Sequence, residues 1–291
     1  MIKEMDFNIP GGIQSPHDPR DFKPSDLGAA TPTPEKYSTP ESIVPIYMQD
    51  QQPGCGGHAG GTLVGFLSQL GTNLSPRFVY ALCKKIDGLP DQQGTTGRAI
   101  MQVLQKYGVC TNDLFPNDTS LPFAQYADWT QIPNAAYVDA LSRRIGAYAK
   151  LPSVDFQSVK DAIYQNKAVM ILGQDGATWW TPSWNASDIL PLKPPSPVVS
   201  GHFWIDYGFD ISSIYFRNSW SAKWGQNGDG WYNENYSPFI IEAWTAQLPA
   251  PQVPPLPQNI KPTAGNLILL QSLLPLYQKL VSLWKGRNQT S

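Results

Sequence analysis

Cysteine and histidine are scarce in this chain, with three of each in 291 residues. Three thiols cannot all pair within one chain, so a disulfide framework is excluded as the basis of the fold. Charge is scarce too. Asp, Glu, Lys and Arg make up 15% of the residues and the formal net charge is -2, which offers no basic surface to nucleic acid. No His/Cys/Asp cluster has metal-ligand spacing, so neither a metal nor another cofactor is expected. The first residues, MIKEMDFNIPGG, lack a basic patch followed by an apolar run, and no secretory signal is read there. Internal repeats are absent.

What the chain has in excess is proline, 28 residues, roughly twice the usual frequency of about 5%. That predicts many irregular connections. Residues 1–42, rich in Pro, Asp and Ser and without a period, read as an extended leader. A globular part then runs from 43 to 248. Its first half, about 43–125, is helical in pattern: TLVGFLSQL at 62–70, SPRFVYALCKKI at 75–86 with Ser75 as N-cap, and RAIMQVLQKYG at 98–108 with Gly108 as stop. The second half, about 126–248, holds one helix (FQSVKDAIYQNK, 156–167), a buried strand (AVMILG, 168–173) and two strands in GHFWIDYGFD (201–210) and SIYFRNSW (213–220). A helical half followed by a strand-rich half predicts an α+β fold of two lobes. A proline-rich linker (249–262) leads to a tail, 263–291, whose apolar residues predict an amphipathic helix broken near Pro275. The tail is read as docking on a partner protein or larger assembly. Lys279, two Gln and two Ser argue against a membrane span.

One short run, GCGGHAGG at 54–61, concentrates five glycines with Cys55 and His58. A nucleophilic thiol needs a base, a group that orients the base, and donors for an oxyanion. His202 follows a long loop, 147 residues after Cys55 (from 55 to 202), and Asn218 follows it in RNSWSAKWGQNGDGWY. Asparagine does not titrate, but its oxygen can accept the second imidazole N–H and hold the ring. Gln49, six residues before Cys55, offers an amide donor, although the loop QDQQ contains three glutamines. His17 lies in the leader. Cys83 and Cys110 read as buried thiols, and His58 as packed in a helix.

The set Gln49, Cys55, His202 and Asn218 resembles the papain family of cysteine peptidases, in which a Gln stands six residues before the nucleophile and the Asn sits in Asn-Ser-Trp followed by Trp-Gly-x-Asn-Gly. Here those are NSW at 218–220 and WGQNG at 224–228. QDQQPGCGGHAGG, LSPRFVYALCKKIDG, KYGVCTNDLFP and GWYNENYSPF are similar to stretches of its bacterial and phage-type branch. The resemblance covers roughly residues 15–245. The chain departs from the plant and lysosomal members in lacking their Cys-Gly-Ser-Cys-Trp motif and their disulfide cysteines.

The resemblance implies a papain-like two-lobe fold with Cys55 at the N-terminus of a long helix, where the helix dipole favours a thiolate. It implies a cysteine endopeptidase that needs no cofactor and acts on a peptide or protein substrate. Cys55 is the nucleophile, His202 the base, Asn218 its orienter and Gln49 an oxyanion donor. Gly97, in the GTTG stretch, is expected at the edge of the substrate groove, Phe203 in its pocket and Trp220 over the His–Asn hydrogen bond. Trp179, Trp180 and Trp184 are core or a substrate wall. Gly57, Gly61 and Gly65 share one helix face and imply a backbone packed close against it. Part of 1–40 is expected to lie across the groove as an inhibitory segment, the alternative being a strap outside the second lobe. A catalytically silent scaffold and a peptidoglycan-directed peptidase or amidase are the competing functions. The expected location is cytoplasmic or virion-associated.

Overall fold

The computed structural model describes residues 11–19, 21, 31–176, 190–195 and 198–249. The chain divides into two compact units, Met1–Ala250 and Pro251–Ser291, and the second lies outside the described residues together with the tail expected there. The Trp179, Trp180 and Trp184 group also lies outside them.

The first lobe opens with α1 (Cys55–Ser68), α2 (Pro76–Ile86) and α3 (Gly97–Lys106). Residues 55 to 67 of α1 are all buried, so this helix is covered on every side rather than amphipathic. Glycine is a poor helix former, by roughly 1 kcal/mol against alanine. At Gly57 tertiary packing explains it, because a Cβ there would overlap the main-chain oxygen of Pro76 at the start of α2. Gly61 lacks that constraint, with only Leu74 at 4.0 Å. The predicted stops and starts are in place. The N–H of Phe78 donates to Ser75 Oγ at 3.1 Å, and Gly108 takes a left-handed φ of +80° just past α3. Leu63, Phe66, Phe78, Val79, Ile100 and Leu104 form the core here. Each such side chain contributes about 1.5–3 kcal/mol on burial.

The helical half runs on beyond 125. The short helix α4 (Phe123–Tyr126), a 3-10 turn at Trp129–Gln131, α5 (Asn134–Ala140) and a second turn at Leu141–Arg143 follow. Ala136, Ala140 and Ile145 belong to the same core as α1 to α3. The strands of the second half therefore begin near 147.

Among the described residues, seven strands form one antiparallel sheet. Its path is β4 (Ala147–Lys150), β9 (Ile240–Gln247), β5 (Val169–Gly176), β6 (Val198–Phe209), β7 (Ile214–Arg217) and β8 (Asp229–Tyr232). The seventh, β2 (Tyr37–Ser38), pairs with the end of β6 at Phe209 and Gly208. The sheet thus recruits part of the segment read as leader. Helix α6 (Phe156–Asn166) is capped by Asp155, which accepts from the Ser158 N–H at 2.9 Å. A second core of Ile163, Ile171, Trp204, Phe216, Trp224, Tyr232 and Tyr236 lies on this side. It encloses Asp206, whose carboxylate accepts from Trp204 Nε1 at 2.9 Å and from the Tyr232 hydroxyl at 2.6 Å. Burial pushes that carboxyl up to about 8 despite both donors.

The opposite face of the sheet meets the helices: Met170, Leu172, Phe203 and Ile205 share a core with α1. The start of α1 and the middle of β6 are thereby brought together. A small parallel pair, β1 (Gly12–Ile13) with β3 (Thr95–Thr96), completes the fold.

Candidate active site

Cys55 is the first residue of α1, where unpaired N–H groups and the helix dipole favour negative charge. Its thiol packs against the main chain of Phe203 on β6, one residue past His202, and the Phe203 N–H is placed to donate to the sulfur. Sheet pairing fixes this stretch of β6: His202 is opposite Gly173 and Phe203 opposite Leu172.

His202 is 3% exposed. Its Nε2 lies 2.8 Å from Asn218 Oδ1. The same Oδ1 accepts the N–H of Ser219 at 2.7 Å, which identifies it as the oxygen of the amide. Nε2 therefore carries the hydrogen and the other ring nitrogen, Nδ1, keeps its lone pair. Trp220 packs over the ring with centroids 4.5 Å apart. Trp220 is itself 2% exposed.

Of the loop glutamines, Gln49 and Gln52 are buried and Gln51 is exposed. Gln52 donates to the carbonyls of Thr119 and Leu121 at 2.9 and 2.7 Å. Gln49 instead turns toward the motif of Asn218: its Oε1 accepts the Ser219 hydroxyl at 2.7 Å, and its main-chain N–H donates to the Ser219 carbonyl at 2.9 Å. The amide nitrogen donates to Gln52 O at a long 3.3 Å and has a second hydrogen to give. Ser219, inside the NSW motif but given no role from sequence, thus links Asn218 to Gln49.

The remaining sequence candidates, Gly97 and Phe203, are both packed against neighbouring elements. Gly97 opens α3, one residue beyond the β3 strand, and a Cβ there would lie 2.6 Å from Glu242 Oε1 and would overlap Trp244. Packing against β9 requires the glycine, and the neighbouring Thr95–Thr96 strand pairs with Gly12–Ile13. Phe203 is 1% exposed, its ring in the core between helices and sheet, and it is its main chain that meets the thiol.

Residues 11–19 and 21, the first of the two described parts of the leader, start against Cys55. Gly11 accepts the Thr95 N–H at 3.2 Å on the helical side. A Cβ on Gly11 would overlap the Cys55 sulfur, and one on Gly12 would lie 2.9 Å from the Gly201 carbonyl on the sheet side. Only a backbone without side chains fits between these walls. Ser15 then anchors the segment, donating from Oγ and N to the Glu242 carboxylate at 2.9 and 3.2 Å. Arg98 ties it further through Asp21 at 2.6 Å and the Pro16 carbonyl at 2.6 Å.

This covering sets the electrostatics. Burial pushes the Cys55 thiol up to about 12, and the nearby Asp175 carboxylate adds to the rise against main-chain donors from Phe203 and Gly56. Burial lowers His202 to about 4, with the Asn218 hydrogen bond working the other way. The dry, leader-covered pair is neutral, whereas the helix N-terminus alone predicts a thiolate. The difference is desolvation. Among the described residues no group of three His, Cys, Asp or Glu side chains is placed to hold a metal ion, and no helix is long and apolar enough to cross a membrane.

No family model and no curated protein matches this sequence. Solved structures do match. Xylellain, a cysteine protease from Xylella fastidiosa, is similar over 86% of this chain and 100% of its own, with a TM-score of 0.69 at 19% identity. Digestive procathepsin L 3 from the larval midgut of Tenebrio molitor is similar over 84% of this chain and 78% of its own (TM-score 0.56, 15% identity). A stem bromelain precursor is similar over 83% and 78% (TM-score 0.58, 17% identity). The fold is papain-like and α+β.

Proposed function

We propose that this chain is a cysteine endopeptidase of the papain type, related to its bacterial and phage-type branch, and that the leader holds it latent. The observation that carries the reading is the bond from His202 Nε2–H to Asn218 Oδ1, 2.8 Å long and roofed by Trp220, on the strand against which Cys55 packs. A histidine fixed by a buried amide, with its second nitrogen basic, is arranged for proton transfer rather than for packing alone.

The chemistry follows from these atoms. With the cleft open, Nδ1 of His202 takes the Cys55 proton, and water and the helix N-terminus support the resulting thiolate–imidazolium pair. The sulfur attacks a peptide carbonyl carbon, and its oxygen becomes an oxyanion held by the Cys55 N–H and the Gln49 amide. The tetrahedral adduct collapses, the C–N bond breaks, and His202 returns the proton to the leaving amine. Water activated by the same imidazole then hydrolyses the thioester.

Latency rests on Gly11 and Gly12, which fill the space a substrate would need. The test keeps the chain whole, because Tyr37–Ser38 belongs to the sheet and a truncation at Thr39 would remove β2. Replacing Gly12 with Leu should expel the leader. The expected result is faster reaction of Cys55 with a thiol-reactive peptide inhibitor and cleavage of a denatured protein substrate, both abolished by Cys55→Ala. An opened chain whose Cys55 labels no faster than free cysteine and which cleaves nothing would overturn the peptidase reading.

A further inference from the structure

Three side chains that this chemistry leaves unused form a directed chain of hydrogen bonds. It ends on the peptide group immediately before the thiol. The Tyr126 hydroxyl donates to Asn117 Oδ1 at 2.7 Å. Asn117 Nδ2 lies 3.2 Å from His58 Nε2. His58 Nδ1 lies 2.8 Å from the carbonyl oxygen of Gly54.

The direction of each link is forced. A carbonyl only accepts, so Nδ1 carries the hydrogen. In a neutral imidazole the other nitrogen is then an acceptor, and what faces it is the amide nitrogen of Asn117. The oxygen of that amide is held by the tyrosine hydroxyl. His58 and Tyr126 are both fully buried. Burial lowers His58 to about 4, against the favourable main-chain carbonyls of Gly54 and Met48 and with nearby His202 adding to the drop. The ring stays neutral in the one tautomer that this chain of bonds requires.

Gly54, the N-cap of α1, has no side chain to make a cap hydrogen bond. Its carbonyl instead receives two donors from one residue, the His58 main-chain N–H at 3.1 Å and the His58 ring at 2.8 Å. That carbonyl shares a planar trans peptide unit with the N–H of Cys55, and in such a unit the C=O and N–H point in opposite directions. Clamping the oxygen aims the hydrogen. The Cys55 N–H is the main-chain donor to the oxyanion in the reading above.

We propose that His58 is a positioning residue for the oxyanion site, acting through the Gly54–Cys55 peptide and braced by Asn117 and Tyr126. The inference rests on the peptidase reading. It separates two reactions of the same sulfur. Peptide hydrolysis passes through an oxyanion and needs the N–H aimed. Alkylation by iodoacetamide displaces iodide at a saturated carbon, forms no oxyanion and needs only the thiolate.

The test uses full-length protein opened by Gly12→Leu, with and without His58→Phe or Tyr126→Phe. Peptide turnover (kcat and KM separately) and the alkylation rate of Cys55 are measured on each. Removing an oxyanion donor outright costs about 10²–10³ in kcat, so a misaimed donor should lower kcat by roughly tenfold or more in His58→Phe. KM and the alkylation rate should hold. Tyr126→Phe keeps the ring and removes only the hydroxyl, so a smaller loss confined to kcat is expected. Unchanged kcat in both variants, or kcat and alkylation falling together, would overturn the proposal. If His58→Phe does not fold, Tyr126→Phe and Asn117→Ala decide it by the same split. If the opened parent is alkylated but turns over no peptide, the peptidase reading has failed and this inference falls with it. That outcome is distinct, because it appears before any of the three substitutions is made.

Discussion

Ser219 gives its hydroxyl to the Oε1 of Gln49 at 2.7 Å, across 170 residues of sequence. This bond fixes which end of the Gln49 amide faces away from the NSW motif. Replacing Ser219 with Ala leaves a buried Oε1 short of a donor, which costs about 1–3 kcal/mol if nothing relaxes. The amide can then rotate. The expected kinetic result, in the leader-opened chain, is a lower kcat with KM held, and urea unfolding should show the stability loss. Equal kcat in the two proteins would separate Gln49 from the oxyanion.

Release of the leader should also respond to its outer anchor. Arg98 and Asp21 form a bidentate pair, at 2.9 Å through Nε and 2.6 Å through the second nitrogen. Both side chains are partly exposed, at 15% and 16%, so the pair contributes modestly and is screened by salt. Arg98→Ala in the full-length chain should raise the labelling rate of Cys55, less than Gly12→Leu does, and added salt should raise it in the native chain. Peptide mapping of the labelled product identifies the site. A labelling rate insensitive to both changes would rule out this contact as a latch.

The pH dependence of labelling should change when the cleft opens. In the covered state the thiol is pushed up to about 12 and His202 down to about 4, so both groups are neutral at pH 7. Labelling of the native chain should therefore stay slow until strongly alkaline pH. In the opened chain water returns, the charged pair becomes accessible, and labelling should persist well below pH 8.5, the ordinary thiol value, roughly. His202→Ala should remove that low-pH labelling. Cys83 and Cys110, both buried with their thiols driven upward by desolvation, should label slowly in every variant that stays folded.

Asp206 makes a separate prediction about stability. Its folded value of about 8 lies above the ordinary carboxyl value of 3.8, so the folded state binds the extra proton. The stabilisation is complete below the unfolded value and is lost as pH rises through about 8. Asp206→Asn, which resembles the protonated acid, should flatten that decline. Urea midpoints at pH 5 and pH 8 measure it, with an expected difference between the two proteins on the order of 1 kcal/mol or more. Parallel pH profiles would mean that Asp206 is charged in the folded protein.

Gly57→Ala tests the helix contact. A methyl group there meets the Pro76 carbonyl, and backbone cannot swing aside as a side chain can. A loss of about 1–3 kcal/mol is expected. Gly61→Ala, with its nearest neighbour at 4.0 Å, should be neutral or stabilising by comparison. Thermal unfolding of the two variants gives the contrast directly.

Local sequence determined much of this protein. Ser75 and Asp155 cap helices because their side chains reach a main-chain N–H three residues on, a relation contained in the sequence itself. Alternation and turn residues gave β6 and β7. Cys55, His202 and Asn218 were legible because each sits in a short, distinctive neighbourhood, and Gln49 because of its distance from Cys55. The tertiary structure alone decided the rest. Which loop glutamine serves the motif depends on Ser219, and whether the His58 ring meets Asn117 depends on how α1 packs against the 117–126 segment. The boundary near 145 depends on which core Ala136 and Ala140 enter, and alanines carry no preference between them. The path of the leader is the extreme case. Gly11 and Gly12 have no side chains to announce a partner, and Ser15 meets Glu242 across 227 residues. A pattern read within a window of a dozen residues contains nothing of a contact whose free energy comes from groups that only folding brings together.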